Sequence, residues 1–151
     1  MFNHILCPTD MGDRAYVALQ KAIQISHQFD AKITMLNVHE EFMDKKEREM
    51  LRVCVDTMKE KFEKTAIECK TEMKKIIKSL LSEDIEVEYL LRGGKVESEI
   101  VKTAEELGAD LIVISTDGRD NIKDFVTGTI TEQVINKAPC PVLVIPYRKQ
   151  K

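Results

Sequence analysis

A short run of aliphatic residues, Leu111 to Ile114, places the strictest limit on what this chain can fold into. All four residues are apolar, so both faces of a strand formed by this run would be buried. Burial on both faces is typical of a central strand in a parallel sheet. Polar residues that begin at Ser115 end the strand. Thr129 and Glu132 have the spacing of a capping box, which predicts that a helix starts at Thr129. The chain therefore needs further elements that cover this strand on both faces.

The rest of the sequence alternates strand patterns with helix patterns. Asp13 is expected to cap the first helix and Gly108 to end the third. Over residues 85–91, apolar side chains at the odd-numbered positions alternate with Glu86, Glu88 and Leu90. This alternation indicates a strand that is exposed on one face, at a sheet edge. Strands are predicted over residues 2–8, 31–38, 85–91, 111–114 and 142–145, with helices over 14–29, 45–81 and 96–107 and from 129. This alternation predicts an α/β fold, a five-stranded, mostly parallel, doubly wound sheet with helices on both faces.

Length and composition indicate one ordinary domain, residues 1–151. The chain is 43% hydrophobic and 32% charged, which is typical of a soluble globular protein. A net charge of −3 gives no electrostatic signature of nucleic-acid binding. No apolar run approaches the roughly 18 residues that a membrane span requires, so we expect no membrane contact.

The cysteines favour a reducing compartment. Their spacing matches neither a C-x-x-C pair nor a zinc module with the histidines, and they lie within apolar runs, so we expect buried thiols. The residues concerned are Cys7, Cys54, Cys69 and Cys140. We therefore predict a cytoplasmic protein with no metal-ligating residues.

The loop between Ser115 and Thr129 is the strongest candidate for a binding site. Gly128 allows close approach to the backbone, and the N-terminus of the following helix supplies amide donors and a positive dipole, which together favour an anion. Gly118 and Gly128 could instead be simple turn residues. In a doubly wound sheet, ligands bind outside the carboxyl ends of the strands where the strand order reverses, and this loop leaves such an end.

These residues resemble a known family. The pattern Ser115-x2-Gly118-x9-Gly128-Thr129 is similar to the nucleotide motif of the universal stress protein family, G-x2-G-x9-G-[S/T], with serine in place of the first glycine. Residues 109–114 and 138–146 are similar to that family's fourth strand and its APCPVLV-like ending. The resemblance implies an adenine nucleotide alpha hydrolase-like fold with strand order 3-2-1-4-5, in which Asp10 lies beside Gly118 and Gly128.

The resemblance also implies the site. Pro8, Thr9 and Asp10 would form the adenosine-side turn, Val38 would lie by the adenine edge, and the loop and the next helix would hold the phosphates of ATP or AMP. Asp10 could equally be a turn or capping carboxylate. The implied nucleotide-binding residues are Pro8, Thr9, Asp10, Val38, Ile114, Ser115, Asp117, Gly118, Gly128, Thr129, Ile130 and Thr131.

Three departures from the family pattern affect this site. Ser115 replaces a glycine, Asp117 stands where histidine is frequent, and Asp120 stands where glycine is frequent. Two extra carboxylates would repel phosphates, unless Arg119 and Lys123 offset them or Mg²⁺ bridges them to the phosphates. The alternative is a dimeric interaction module of the same family with a degenerate pocket that binds no nucleotide.

Enzymatic signatures are missing from the sequence. It contains no P-loop, dinucleotide fingerprint or nucleophile elbow, so no catalytic residue is predicted and ATP hydrolysis, if any, would be slow. A phosphoacceptor receiver domain has the same alternation of elements, but residues 90–93 lack the aspartate it requires after the third strand. We expect a regulatory domain in the stress response with an unidentified downstream protein partner. The resemblance further implies a homodimer through residues 142–146, an apolar strand at a sheet edge.

Overall fold

The structure of the chain, a computed structural model, describes residues 1–10, 12–39, 55–80, 85–116 and 129–147. Strands and helices alternate along the described chain, as the sequence predicts. In order they are β1 (His4–Pro8), α1 (Asp13–Phe29), β2 (Lys32–His39), α2 (Val55–Leu80), β3 (Val87–Gly93), α3 (Val96–Leu107), β4 (Leu111–Thr116), α4 (Ile130–Lys137) and β5 (Val142–Pro146).

The five strands form one parallel sheet in the order β3-β2-β1-β4-β5. Ile5 of the central strand pairs with Ile33 of β2 on one side and Leu111 of β4 on the other. The predicted order 3-2-1-4-5 is therefore confirmed, and it differs from the receiver-type order 2-1-3-4-5. Because the chain leaves β1 toward β2 and later returns to β4 on the other side, the order reverses between β1 and β4.

Side-chain alternation along the strands divides the core into two layers. Ile5 and Cys7 of β1 face α1 and α2, where they pack with Leu19 and Met73. Leu6 points to the opposite layer, which contains Ile100 and Ala104 of α3 and Val134 of α4. Each fully buried large aliphatic side chain contributes on the order of 2 kcal/mol relative to exposure. The prediction of helices on both faces is confirmed.

The helix ends follow the predicted signals at two positions and depart from them at one. Gly108 ends α3 in the left-handed conformation, with φ of 62°, and Thr129 caps α4. The prediction that Asp13 caps α1 was wrong, because Asp13 is already helical and Gly12 occupies the cap position. The predicted start of the long helix, residues 45–54, lies outside the described residues.

The edge position of β3 is confirmed, and its predicted exposed face is confirmed at Glu86 and Glu88 but not at Leu90. Val87 and Tyr89 pack against the layer of α1 and α2, and Leu90 packs against the layer of α3 and α4. Both faces of β3 therefore contribute to the core. Within the described ranges, no helix combines the length and apolarity needed to cross a bilayer.

Candidate functional site

A cleft of about 210 Å³ opens at the carboxyl ends of β1 and β4, where the strand order reverses. This is the position at which doubly wound sheets bind their ligands. Its described walls come from the ends of β1, β2 and β4 and from the starts of α1, α3 and α4. They are formed by Pro8, Thr9, Asp10, Ala15, Leu36, Val38, Val96, Ile100, Ile114, Ser115, Ile130 and Thr131.

The turn after β1 fixes the position of Asp10. The Thr9 amide donates to the Leu36 carbonyl at 2.8 Å, which extends the ladder between β1 and β2 by one residue. The Gly12 amide donates to Oδ1 of Asp10, also at 2.8 Å. A Cβ atom at Gly12 would lie 3.1 Å from that oxygen, so glycine leaves room for the carboxylate to fold back over the turn. Asp10 is thus an exposed carboxylate with a defined orientation at the rim of the cleft.

One side of the cleft is apolar. Leu36 and Val38 are two residues apart on β2 and so point to the same face of the sheet. Val96 and Ile100 lie one turn apart on α3 and cover that face, and Ile114 continues the surface from β4. The result is an apolar slot bordered by the polypeptide backbone at the strand ends, which suits a flat aromatic ring with polar edges.

The opposite side is polar and lies at the N-terminus of α4. Oγ1 of Thr129 accepts a hydrogen bond from the Glu132 amide at 3.2 Å, and the Thr129 carbonyl accepts one from Gln133 at 3.0 Å. The predicted cap is thereby confirmed. The amides of Ile130 and Thr131 belong to the first turn, in which N–H groups have no partner within the helix. Amides in this position, together with the helix dipole, favour an anion.

The structure brings most of the predicted site residues together. Eight of them line the cleft, and Thr129 adjoins it as the cap of α4; the eight are Pro8, Thr9, Asp10, Val38, Ile114, Ser115, Ile130 and Thr131. Asp117, Gly118 and Gly128 lie outside the described residues, as do the neighbouring charged residues Arg119, Asp120 and Lys123.

Four cleft residues were missed from the sequence: Ala15, Leu36, Val96 and Ile100. Leu36 could have been found, since it shares a strand face with Val38. Val96 and Ile100 also have the spacing of one helix face, but nothing in the sequence specifies which strand ends α3 covers.

No cysteine or histidine that the structure describes is among the residues lining the cleft. Cys7 and Cys69 are buried as predicted, Cys140 is only half-buried, and Cys54 lies outside the described residues. Burial raises the pKa of Cys7 to about 12. His39 is directed toward Cys69 of α2, with its Nε2 atom 3.6 Å from the sulfur. No group of three metal-ligating side chains was found within the described part of the chain.

Comparison with known proteins gives a consistent result. The family model described as the universal stress protein family matches residues 1–146. Universal stress protein MJ0577 of Methanocaldococcus jannaschii is 31% identical over 155 residues, which cover 96% of this chain and 95% of the relative. The solved structure of MJ0577 superposes with a TM-score of 0.74 at 30% identity, covering 99% of each chain.

Two more distant solved structures share the fold. A universal stress protein in complex with cAMP has a TM-score of 0.67 at 18% identity and covers 96% of this chain and 97% of its own. A universal stress protein from Archaeoglobus fulgidus in complex with dAMP has a TM-score of 0.61 at 22% identity, with coverage of 96% and 98%. The match over residues 1–146, the identity to MJ0577 and the strand order agree, and the chain belongs to the universal stress protein family.

Proposed function

We propose that the cleft between β1 and β4 binds an adenine nucleotide, ATP or AMP. In this proposal residues 1–151 act as a single regulatory domain in a cytoplasmic stress response, with little or no turnover. One observation carries the proposal: an apolar slot and the N-terminus of a helix face each other across the point where the strand order reverses.

The apolar side would hold the base. Val38 and Ile100 would contact the ring faces, and the backbone at the end of β2 would offer hydrogen bonds to the adenine edge. Asp10, held by the Gly12 amide, would accept bonds from the ribose hydroxyls. A volume of about 210 Å³ is below the roughly 300 Å³ at which sites for drug-sized ligands begin. The cleft therefore suits the base and the ribose, with the phosphates extending toward α4.

The phosphates would lie at the amides of Ile130 and Thr131. Donors of this kind are already oriented and need no counter-charge from a lysine. The loop glycines Gly118 and Gly128, which match the family motif, are proposed to complete this part of the site. Mg²⁺ would enter with the nucleotide, on the phosphate oxygens. The solved relatives that contain cAMP and dAMP support the choice of an adenine ligand, since both share the fold of this chain.

The described walls offer little chemistry for turnover. Asp10 is the one ionisable side chain among the lining residues that the structure describes. It could polarise a water molecule, but hydrolysis of a phosphoanhydride also needs cationic or metal groups that stabilise the charge on the transferring phosphoryl group. We therefore propose a nucleotide-dependent switch in which any ATP hydrolysis is slow and is not the main activity.

Isothermal titration calorimetry with ATP, ADP and AMP tests binding. Asp10→Asn removes one negative charge at the cleft, and Asp30→Asn removes one at the far end of α1, where asparagine tolerates the left-handed conformation of residue 30, φ 55°. We expect Asp10→Asn to weaken binding about tenfold, as for the loss of a hydrogen bond to a charged group, and Asp30→Asn to leave it unchanged. The absence of heat and of thermal stabilisation at millimolar nucleotide would favour the interaction module with a degenerate pocket.

We also propose an isologous homodimer through residues 142–146. In the described sheet β5 is the last strand and pairs with β4. The Pro141 carbonyl accepts from Ile112 and the Tyr147 amide donates to Thr116, so the odd-numbered residues of β5 bond to β4. The N–H and C=O groups of Val142 and Val144 consequently point to the outer edge, where a second copy could pair with them.

Analytical ultracentrifugation at micromolar concentration tests the dimer. Val144→Pro removes an outward N–H while the bonds to β4 remain. We expect this variant to sediment as a monomer, with about half the mass of the dimer that the unmodified chain forms. Val144→Thr keeps the N–H and serves as the control, which should remain dimeric. A 17.3 kDa species for the unmodified chain would refute the proposal.

A further inference from the structure

A second group of reactive side chains lies on the opposite face of β2 from the cleft. Asn37 and His39 flank Val38 on the strand, so they point toward α2 while Val38 points into the cleft. Sγ of Cys69, on α2, lies 3.6 Å from Nδ2 of Asn37 and 3.6 Å from Nε2 of His39. Cys69 is 32 positions from Asn37 and 30 from His39 in the chain, so it meets them only through the packing of α2 on the sheet.

The two nitrogens give this sulfur an environment that Cys7 lacks. An amide N–H can only donate, so Asn37 makes the sulfur a hydrogen-bond acceptor. The imidazole of His39 can accept the thiol proton. The charged N–H that results then donates a hydrogen bond to the thiolate and stabilises it. Burial alone acts on Cys7 and raises its pKa to about 12. At Cys140, burial and the negative charge of Asp110 both raise the pKa.

We propose that Cys69 is a site of oxidation by hydroperoxides, with His39 as the group that activates the thiol and Asn37 as the group that positions it. This site is distinct from the nucleotide cleft, and the proposal does not depend on nucleotide binding. Cys69 is 6% exposed and Asn37 is 4% exposed, whereas His39 is half-buried at the end of its strand. The sulfur is therefore shielded, whereas the imidazole beside it keeps a partly exposed surface.

The reaction is a two-electron oxidation of the sulfur. The thiolate attacks one oxygen of hydrogen peroxide, an S–O bond forms and the O–O bond breaks. The leaving hydroxide takes the proton held at Nε2 of His39 and departs as water, so that thiol and peroxide give sulfenic acid and water. The imidazole returns to its neutral form. A cellular thiol can then reduce the sulfenic acid, which makes the modification reversible.

Trapping with dimedone tests the proposal on the full chain. The folded protein is treated with hydrogen peroxide, the peroxide is removed, and the chain is then unfolded in the presence of dimedone, so that mass spectrometry of its peptides measures the adduct at each cysteine. We expect Cys69 to carry the adduct, and Cys7 to carry none in the native state. Equal labelling of Cys69 and Cys140, or no adduct at Cys69, would overturn the proposal.

Substitution of His39 separates activation from shielding. If His39 only covers the sulfur, then His39→Ala exposes it and the oxidation of Cys69 becomes faster. If His39 activates the thiol, the rate falls, by about tenfold for the loss of one charge-assisted hydrogen bond. His27→Ala changes an exposed histidine on α1 and should leave the rate unchanged. The ultraviolet absorbance of the thiolate, assigned with Cys69→Ser, should fall in parallel in His39→Ala, and an unchanged or higher oxidation rate in that variant would contradict the assignment.

Discussion

At the amino end of the sheet the polar side chains bond to one another across strands, whereas at the carboxyl end they line a cleft. Nε2 of His4 on β1 lies 2.7 Å from Oγ1 of Thr34 on β2, and that hydroxyl lies 3.5 Å from a carboxylate oxygen of Glu88 on β3. The carboxylate of Asp110, just before β4, accepts the amides of Asn3 and His4 at 2.8 and 3.1 Å. Four strands are thereby connected by polar side chains at this end.

The carboxyl end uses its polar groups differently. Asp10 accepts the Gly12 amide within the turn after β1, and the first amides of α4 have no partner inside their own helix. Bonds that are complete within the protein stabilise the fold, while donors and acceptors that line a cleft can bind a ligand. The contrast predicts that stability and nucleotide affinity can be altered separately, by substitutions at opposite ends of the same strands.

The largest effect is expected from Asp110→Ala. Loss of two hydrogen bonds to a charged acceptor should lower the free energy of unfolding by about 2 kcal/mol. Chemical denaturation measures this loss, and calorimetry should find nucleotide affinity unchanged. Asp110→Asn keeps an oxygen acceptor and should lose less. A drop in affinity that matches the drop in stability would break the contrast between the two ends.

Thr129→Ala should have a smaller effect that involves both properties. Loss of the N-cap bond to the Glu132 amide should destabilise the chain by about 1 kcal/mol. Because the same cap shapes the first turn of α4, nucleotide affinity should fall several-fold as well. Thr129→Ser retains the hydroxyl and should behave like the unmodified chain in both assays. If Thr129→Ala loses stability but keeps its full nucleotide affinity, the phosphates do not bind at the first turn of α4.

Ser115→Gly tests the departure from the family motif. Ser115 lies near the end of β4, paired with Ile145, and is one of the residues that line the cleft. Glycine would leave more room beside the backbone, so we expect ATP to bind a few-fold more tightly while the strand loses up to about 1 kcal/mol of stability. Ser115→Ala retains a Cβ atom and should show no gain. If the unmodified chain, Ser115→Gly and Ser115→Ala bind ATP with equal affinity, the side chain at residue 115 does not restrict the space available to the phosphates.

The smallest effect concerns the pH dependence of stability. Burial and the positive charge of Lys32 hold the pKa of His4 below its ordinary value of 6.5, although the Leu107 carbonyl, Glu88 and Asp110 oppose this shift. As the pH falls below 6.5, the unfolded chain takes up a proton that the native chain does not, so the free energy of unfolding decreases. Above pH 6.5 this contribution is constant.

His4→Gln removes the titrating group and keeps a partner for Thr34. Denaturation curves between pH 7.5 and about 5.5 should then show a flatter dependence of stability on pH than those of the unmodified chain. His27→Gln, at an exposed position, should leave the slope as it was. If both variants have the same slope as the unmodified chain, His4 is not the group responsible.

Much of the fold could be predicted because its signals are local. The uninterrupted apolar run at 111–114 identified a buried central strand, and Gly108 and Thr129 marked helix ends through conformations that their own neighbours determine. Asp13 was misplaced because the backbone conformation of the turn after β1 decides which residue occupies the cap position, and Gly12 occupies it although aspartate is the stronger capping residue. The strand order came from the resemblance to a family and not from the pattern of residues.

Less of the candidate site than of the fold could be predicted from the sequence. Asp10, Val38 and Thr131 were inferred through the family motif, but Val96 and Ile100 enter the cleft only because α3 crosses the ends of particular strands. The contact between His39 and Cys69 joins residues 30 positions apart, and no periodicity or spacing rule indicates it. Contacts of this kind depend on how helices pack on the sheet, which the local sequence does not encode.

Amide chemical shifts recorded during a titration with AMP test the central claim most directly. The account predicts that the largest changes occur at the carboxyl end, at Thr9, Ile130 and Thr131, and that Asn3 and His4 at the amino end do not change. Shift changes concentrated at the amino end, or none at any residue at millimolar AMP, would contradict a nucleotide site between β1 and β4.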